Sequence, residues 1–133
     1  MKRIISCVLI LAALLALVQP ACAAQPSEID PQYINAIKTY VTLSISASGK
    51  ASITISATAK TGVTNITAYT RIQRKVGNSW IFVENWRYST TDRVFSQSYS
   101  THLSIKGEYR AVADYTLTGS TVEYITNIDT ATY

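Results

Sequence analysis

From Tyr40 to about Ile128, apolar and polar residues alternate along the chain, and the breaks in the alternation carry glycines. The run at 41–45, for example, is Val-Thr-Leu-Ser-Ile. A period of two indicates β-strands that bury one face. Seven such strands are predicted, at residues 40–45, 53–59, 66–76, 80–88, 94–101, 109–117 and 121–128.

The residues at the breaks favour short turns between these strands. All five glycines of the chain lie there, and glycine reaches the positive φ values of tight turns at little cost. No proline follows Pro31, and proline would remove backbone donors from a central strand. We therefore predict an all-β fold over residues 39–133, an antiparallel two-sheet sandwich of about seven strands, with a closed barrel as the alternative.

The first 23 residues have the features of a cleavable signal peptide. Lys2 and Arg3 give a positive start, and an apolar run extends over 4–18. Ala21 and Ala23 fit the small-x-small rule for cleavage after residue 23, or one residue later. The apolar run is shorter than the roughly 20 residues that span a bilayer. We predict a secreted, extracellular protein with no membrane span after cleavage. Cys22 lacks the preceding leucine of a lipoprotein signal, which disfavours lipidation.

Residues 24–38 are a lead segment with two open interpretations. Asp30 and Pro31 could cap and start a short helix, which would place Tyr33, Ile34 and Ile37 on one face. The alternative is an extended arm.

Cleavage leaves a domain without cysteine, because Cys7 and Cys22 both lie in the signal peptide. Ten Lys and Arg then remain against eight Asp and Glu, a net charge of +2. These basic residues are scattered, whereas nucleic-acid binding needs a concentrated basic face, so no nucleic-acid partner is predicted. A mildly basic secreted domain could still associate loosely with anionic cell-wall polymers.

Two stretches resemble parts of known sandwich domains. One is the strand, glycine turn and tryptophan-led strand of 72–80; the other is the Gly-x-Tyr-Arg stretch at Gly107–Arg110. The second is similar to the entry to the penultimate strand of fibronectin-type-III-like and immunoglobulin-like sandwiches. The resemblance implies that Tyr109 ties the corner to the backbone. With its signal peptide, the chain resembles small secreted β-sandwich proteins of Gram-positive bacteria whose function is unassigned.

Residues that could carry catalysis are few. His102 is the only histidine, and a triad with Asp92 or Asp114 would need a geometry that sequence order does not define. No Gly-x-Ser-x-Gly motif, metal-ligand cluster or phosphate-binding glycine loop is present. We predict no enzyme activity and no cofactor. Glu84 stands out among the acids because aromatic residues surround it in the sequence.

The fourth predicted strand carries apolar residues on both of its faces. Four aromatic residues share one parity, namely Trp80, Phe82, Trp86 and Tyr88. Ile81 and Val83 on the other parity also favour burial, and both faces can be buried only if a bulge or a covering layer intervenes. We expect Trp80 and Phe82 to fill the core, since large aromatic residues dominate such cores.

Trp86 and Tyr88 lie near the end of this strand and are expected to be partly exposed. Tyr69 and Arg71 on the preceding strand would extend the same patch. Exposed aromatic groups beside arginine suit a glycan or a protein ligand. The predicted ligand-binding residues are therefore Trp86, Tyr88, Tyr69 and Arg71.

These features predict a secreted, non-catalytic binding module, extracellular or envelope-associated, whose partner is a cell-wall polymer, a glycan or a protein. A first alternative is a self-assembling surface subunit, because residues 52–59 combine high β-propensity with low charge. A second alternative is a small secreted glycan-acting enzyme, which would need a cleft with converging acids.

Overall fold

The structure is a computed structural model, and it describes residues 32–133. The predicted signal peptide and most of the lead segment lie outside these residues. Seven strands follow one another along the described chain: β1 (Ala36–Ile45), β2 (Lys50–Ala59), β3 (Asn65–Val76), β4 (Ser79–Thr90), β5 (Val94–His102), β6 (Glu108–Thr118) and β7 (Val122–Thr132).

The strands form two antiparallel sheets. The three-stranded sheet has the order β1-β2-β5, and the four-stranded sheet has the order β4-β3-β6-β7. The predicted two-sheet sandwich of seven strands is therefore confirmed. Residues 32–133 contain no helix long and apolar enough to cross a membrane. Within the lead segment, residues 36–38 belong to β1 rather than to the end of a helix.

The core lies between the sheets and is built from alternate residues of each strand. We call the face of each sheet that points into the core its inward face, and the opposite one its outward face. The central strands β2, β3 and β6 contribute most of the buried side chains, including Ile53, Ile55, Ile72, Tyr115 and Leu117. Since the side chains of a strand alternate between its faces, the period-two pattern of the sequence produces this core directly.

The two outward faces differ in chemistry. On the three-stranded sheet, β1, β2 and β5 present mainly serine and threonine, as in the row Thr42, Thr54 and Ser98. Most of the outward aromatic and charged side chains lie on the four-stranded sheet, among them Tyr69 and Arg110. The three-stranded sheet carries Lys38, Tyr40 and Lys50 on its outward face.

One side of the sandwich is closed where β1 meets β7. The carboxylate of Glu123 accepts hydrogen bonds from the backbone N–H groups of residues 34–36. Asp129 likewise accepts from the N–H of Leu43 at 2.7 Å. Carboxylates of β7 thus occupy backbone donors at the edge of β1 that an approaching strand would otherwise use.

The other side, where β4 meets β5, is closed by aromatic rings. Trp86 stacks on Tyr99 of the opposite sheet with ring centroids 5.1 Å apart, and Tyr88 packs against Phe95 at 4.9 Å. No strand pairs with the outer edge of β4 or of β5 within the described residues.

A side-chain hydrogen bond ties the corner before β6 to the backbone. The hydroxyl of Tyr109 donates to the carbonyl oxygen of Ile105, four residues earlier. Near this corner, Gly49 has φ of +84°, and a Cβ atom on it would lie 2.5 Å from the carbonyl oxygen of Leu103. Only glycine fits both the backbone conformation and this close approach.

Candidate functional site

A β-bulge in β4 decides which aromatic side chains face the solvent. Ile72 of β3 lies opposite Glu84, whereas the next residue, Gln73, lies opposite Phe82. Val83 is therefore the extra residue of the bulge. An extra residue reverses the alternation, so side chains before it and after it at the same parity point to opposite faces.

The bulge sorts the four aromatic residues of β4 into two pairs. Trp86 and Tyr88 point inward and pack against the core. Trp80 lies opposite Lys75, and Phe82 lies opposite Gln73, which places both on the outward face. Phe82 is 54% exposed. The expectation that Trp80 and Phe82 fill the core is therefore wrong, because the prediction assumed one regular strand.

The predicted ligand-binding residues do not form one surface. Tyr69 and Arg71 lie on the outward face of β3, at the parity opposite to that of its buried residues. Trp86 and Tyr88 lie on the inward face of β4 and are half-buried between the sheets. The structure brings Tyr69 and Arg71 together and separates them from the other two.

The outward face instead brings arginines onto aromatic rings. The guanidinium of Arg110 lies 4.4 Å from the ring centroid of Trp80. The guanidinium groups of Arg71 and Arg87 each lie 5.8 Å from the ring centroid of Tyr69. All three contacts are within the range of cation–π attraction. We call this group, Tyr69, Arg71, Trp80, Arg87 and Arg110, the aromatic–arginine face.

Hydrogen bonds hold two of these arginines further. Arg110 donates from Nε to Oε1 of Gln73 at 2.8 Å. Arg71 forms an ion pair with Asp114, whose other carboxylate oxygen accepts from the hydroxyl of Thr126 at 2.7 Å. These hydrogen bonds and the ring contacts together restrict Arg71 and Arg110, which leaves guanidinium groups as charged contacts on this surface.

Basic groups at the ends of the face have different partners. Lys75 lies 5.8 Å from the ring centroid of Trp80 and pairs with Glu108 at 3.0 Å. Within residues 32–133, Arg87 and Arg110 have no carboxylate partner. The face therefore offers two guanidinium groups without a carboxylate partner, while Arg71 within it and Lys75 beside it are already paired.

The residues considered for catalysis lie apart from one another. His102 is at the end of β5, whereas Asp92 precedes the start of that strand. Asp114 lies on the outward face of the other sheet, where it binds Arg71. In the described part of the chain, no group of three or more His, Cys, Asp or Glu side chains is placed as metal ligands would be.

Burial and hydrogen bonding change the pKa of several groups away from this face. Burial acts to raise the pKa of Glu123, but the N–H groups of residues 34–36 and the charge of Lys60 outweigh it, so the pKa lies below the ordinary value of 4.5. Burial raises the pKa of Tyr115, whose hydroxyl donates to the carbonyl oxygen of Tyr40. These shifts arise from structural contacts that close the sandwich.

No family model, characterised protein or solved structure matches this chain. The site is therefore defined by its own geometry.

Sequence reasoning did not identify Trp80, Arg87 and Arg110 as members of the site. Arg87 and Arg110 become neighbours of Tyr69 and Trp80 only through the registers of β4 and β6 on β3. One signal was present in the sequence: Ile81 and Val83 competed with the aromatic residues for burial, which is the conflict that a bulge resolves.

Proposed function

We propose that this chain is a secreted, non-catalytic binding module that contacts an extracellular or envelope-associated ligand through the aromatic–arginine face. The observation that carries the proposal is the placement of three arginine guanidinium groups within cation–π range of Tyr69 and Trp80 on the outward face of one sheet. Arginine held in place by rings and hydrogen bonds loses less conformational entropy when it binds, which favours binding.

The position of the face on the sheet also supports a binding role. The strands β3 and β6 are paired on both sides, so they form a rigid base for Arg71 and Arg110. The face lies on the outward side of the four-stranded sheet, away from the second sheet. A sheet surface of this kind suits a polymer or a protein surface better than a small molecule.

Retention on washed Gram-positive envelopes tests the proposal, with residues 24–133 as the secreted chain. We expect the double variant Tyr69→Ala, Trp80→Ala to lose retention, because both supports of the arginines are removed. The matched control is Tyr124→Ala, which removes a 78% exposed aromatic ring from the outward face of β7. Equal retention of the double variant and the wild type would reject this face as the binding surface.

Export is tested separately by sequencing the amino terminus of the protein recovered from culture medium. Cleavage after Ala23 would give an amino terminus at Ala24. A protein that keeps its first residues and stays with the cell membrane would contradict secretion.

Self-assembly is a second candidate function, and one observation favours it. Ile81, Phe82 and Val83 are consecutive exposed apolar residues on the unpaired edge strand β4. Exposed apolar edge strands promote pairing between chains. The segment 52–59 does not supply such an edge, because β2 is paired with β1 on one side and with β5 on the other.

Sedimentation at rising protein concentration separates the two candidates. Oligomers that Phe82→Lys abolishes would support assembly through the edge of β4. A monomer at all concentrations would exclude it and leave the binding module.

A further inference from the structure

We propose that the ligand of the aromatic–arginine face is a linear polyanion, and that Arg87 and Arg110 bind separate anionic groups of it at the two ends of a diagonal of the sheet that has Arg71 in its middle. This inference rests on the proposed function and adds the chemical class of the ligand. Ligands of this class are unbranched polymers that carry one carboxylate or phosphate on each repeat unit.

The strand register places the three arginines on a diagonal. Arg87 of β4 lies opposite Tyr69 of β3, and Arg71 follows two residues later on β3. Arg71 lies opposite Val112 of β6, and Arg110 is two residues from Val112 towards the same end of the sheet. Each step therefore moves one strand across and two residues along.

The length of this diagonal follows from the geometry of a sheet. With strands about 4.8 Å apart and a rise of about 3.3 Å per residue, the Cα atoms of Arg87 and Arg110 are on the order of 16 Å apart. The charges themselves lie by the rings of Tyr69 and Trp80, and the Cα atoms of these two residues, one strand and six residues apart, are on the order of 20 Å from each other. Both distances exceed the Debye length of about 8 Å at physiological ionic strength. A small anion bound at one end therefore gains little from the cation at the other end, whereas a polymer can contact both.

The three arginines are not equivalent in the free protein. Arg71, in the middle, is paired with Asp114, while Arg87 and Arg110 have no carboxylate partner within residues 32–133. Lys75 beyond the diagonal is paired with Glu108. The unpaired charges thus stand at the two ends, which again favours a ligand that carries anions at separate points.

Val112 is a covered apolar residue between two arginines of the diagonal. Val112 lies on the outward face of β6, yet it is only 2% exposed, so neighbouring side chains cover it. Long arginine stems commonly cover apolar surface while the charged group stays in water. We infer that the stem of Arg71, which lies opposite Val112, contributes to this cover.

The opposite surface of the sandwich provides a contrast. The outward face of the three-stranded sheet presents rows of serine and threonine, with Lys38 and Lys50 near the ends of their strands. A polyanion should therefore have one preferred face, although the net charge of the secreted chain is small.

Calorimetric titration with oligomers of increasing length tests the inference. We use oligogalacturonates from monomer to long chains as carboxylate probes, and linear polyphosphates over the same range as phosphate probes. We expect the affinity to rise with oligomer length until the oligomer spans the diagonal. For longer oligomers we expect the affinity of each chain to stay constant. Binding by only one of the two series identifies the anionic group and still supports the inference.

Arginine variants locate the contact. Arg87→Gln and Arg110→Gln should each weaken binding of the long probe by about tenfold, the effect expected for losing a charge-assisted hydrogen bond. Each should also reduce the slope of log K against log salt by about 1. The matched control is Arg93→Gln, which makes the same charge change in the turn after β4.

Three results would overturn the inference. A control variant that weakens binding as much as the two test variants would indicate unspecific attraction to net charge. Monomers that bind as tightly as long chains would show that the arginines do not act together. If neither probe series binds, while Tyr69→Ala, Trp80→Ala still abolishes envelope retention, the binding face stands and the polyanion is rejected.

Discussion

Replacing Glu123 by glutamine keeps the size of the side chain and removes the charge that holds the start of β1. One carboxylate oxygen accepts from Ile34 at 2.6 Å, and the other accepts from Asn35 and Ala36 at 2.8 and 2.9 Å. Glutamine has a single acceptor oxygen. When that oxygen faces Asn35 and Ala36, its NH₂ group faces the N–H of Ile34, and one hydrogen bond is lost.

The magnitude follows from these three hydrogen bonds. The two that remain become neutral, and a neutral hydrogen bond contributes roughly half as much as one to a charged group. We expect Glu123→Gln to lower the free energy of unfolding by about 2 kcal/mol, the low end of what one lost and two weakened bonds imply, since solvent screens this partly exposed group. Urea unfolding of residues 24–133 at neutral pH measures the change.

The stabilisation by Glu123 depends on pH. The folded protein lowers the pKa of Glu123 below 4.5, so its stabilisation is fully present above the unfolded-state pKa. It is lost as the pH falls through the folded-state pKa, and the difference between wild type and variant should shrink there. The control Asp92→Asn removes a charge from an exposed turn and should change stability little. Equal free energies of unfolding for the wild type and Glu123→Gln at neutral pH would refute the reasoning.

Three further substitutions test individual contacts. Thr70→Val should raise the melting temperature by a few degrees, which corresponds to about 1 kcal/mol. The reason is that the buried Thr70 hydroxyl has no hydrogen-bond partner in the described residues. The control Thr67→Val, on the outward face, should not raise the melting temperature. Tyr109→Phe should cost about 1 kcal/mol in urea unfolding through loss of the corner hydrogen bond. Burial raises the pKa of Tyr109, so the wild type should also lose stability as the pH rises through that folded-state pKa. Gly49→Ala should destabilise the protein more than Gly62→Ala in thermal unfolding, because both have positive φ but only Gly49 has a carbonyl oxygen in the way of a Cβ atom.

Most of the fold follows from local sequence. The period-two pattern and the glycine positions were sufficient for seven strands, and β3 begins one residue from its predicted start. The first strand was predicted too short, since β1 begins at Ala36 rather than at Tyr40. A register shift between Ala36 and Lys38 interrupts the alternation there, so the pattern gave no signal.

The site depends on features that local sequence does not determine. Residues 80–83 are apolar at both parities, so alternation alone cannot place the extra residue of the bulge at Val83. That single residue moves Trp80 from the expected core to the outward face. The contacts of Glu123 join residues almost ninety positions apart in the chain, and they depend on the packing of β1 against β7.

The most direct test of the binding face uses the two tryptophans of the chain as separate reporters. Trp86→Phe leaves only Trp80, beneath Arg110 on the outward face, and Trp80→Phe leaves only Trp86, stacked on Tyr99 between the sheets. Each variant is titrated with solubilised envelope polymer while tryptophan emission is recorded. We predict that the emission of Trp80 changes with saturation in Trp86→Phe. We predict that the emission of Trp86 stays constant in Trp80→Phe, and retention of that variant on envelopes is measured in parallel to establish that it still binds. A saturable change confined to Trp86 would contradict the account and place the ligand at the β4–β5 side of the sandwich.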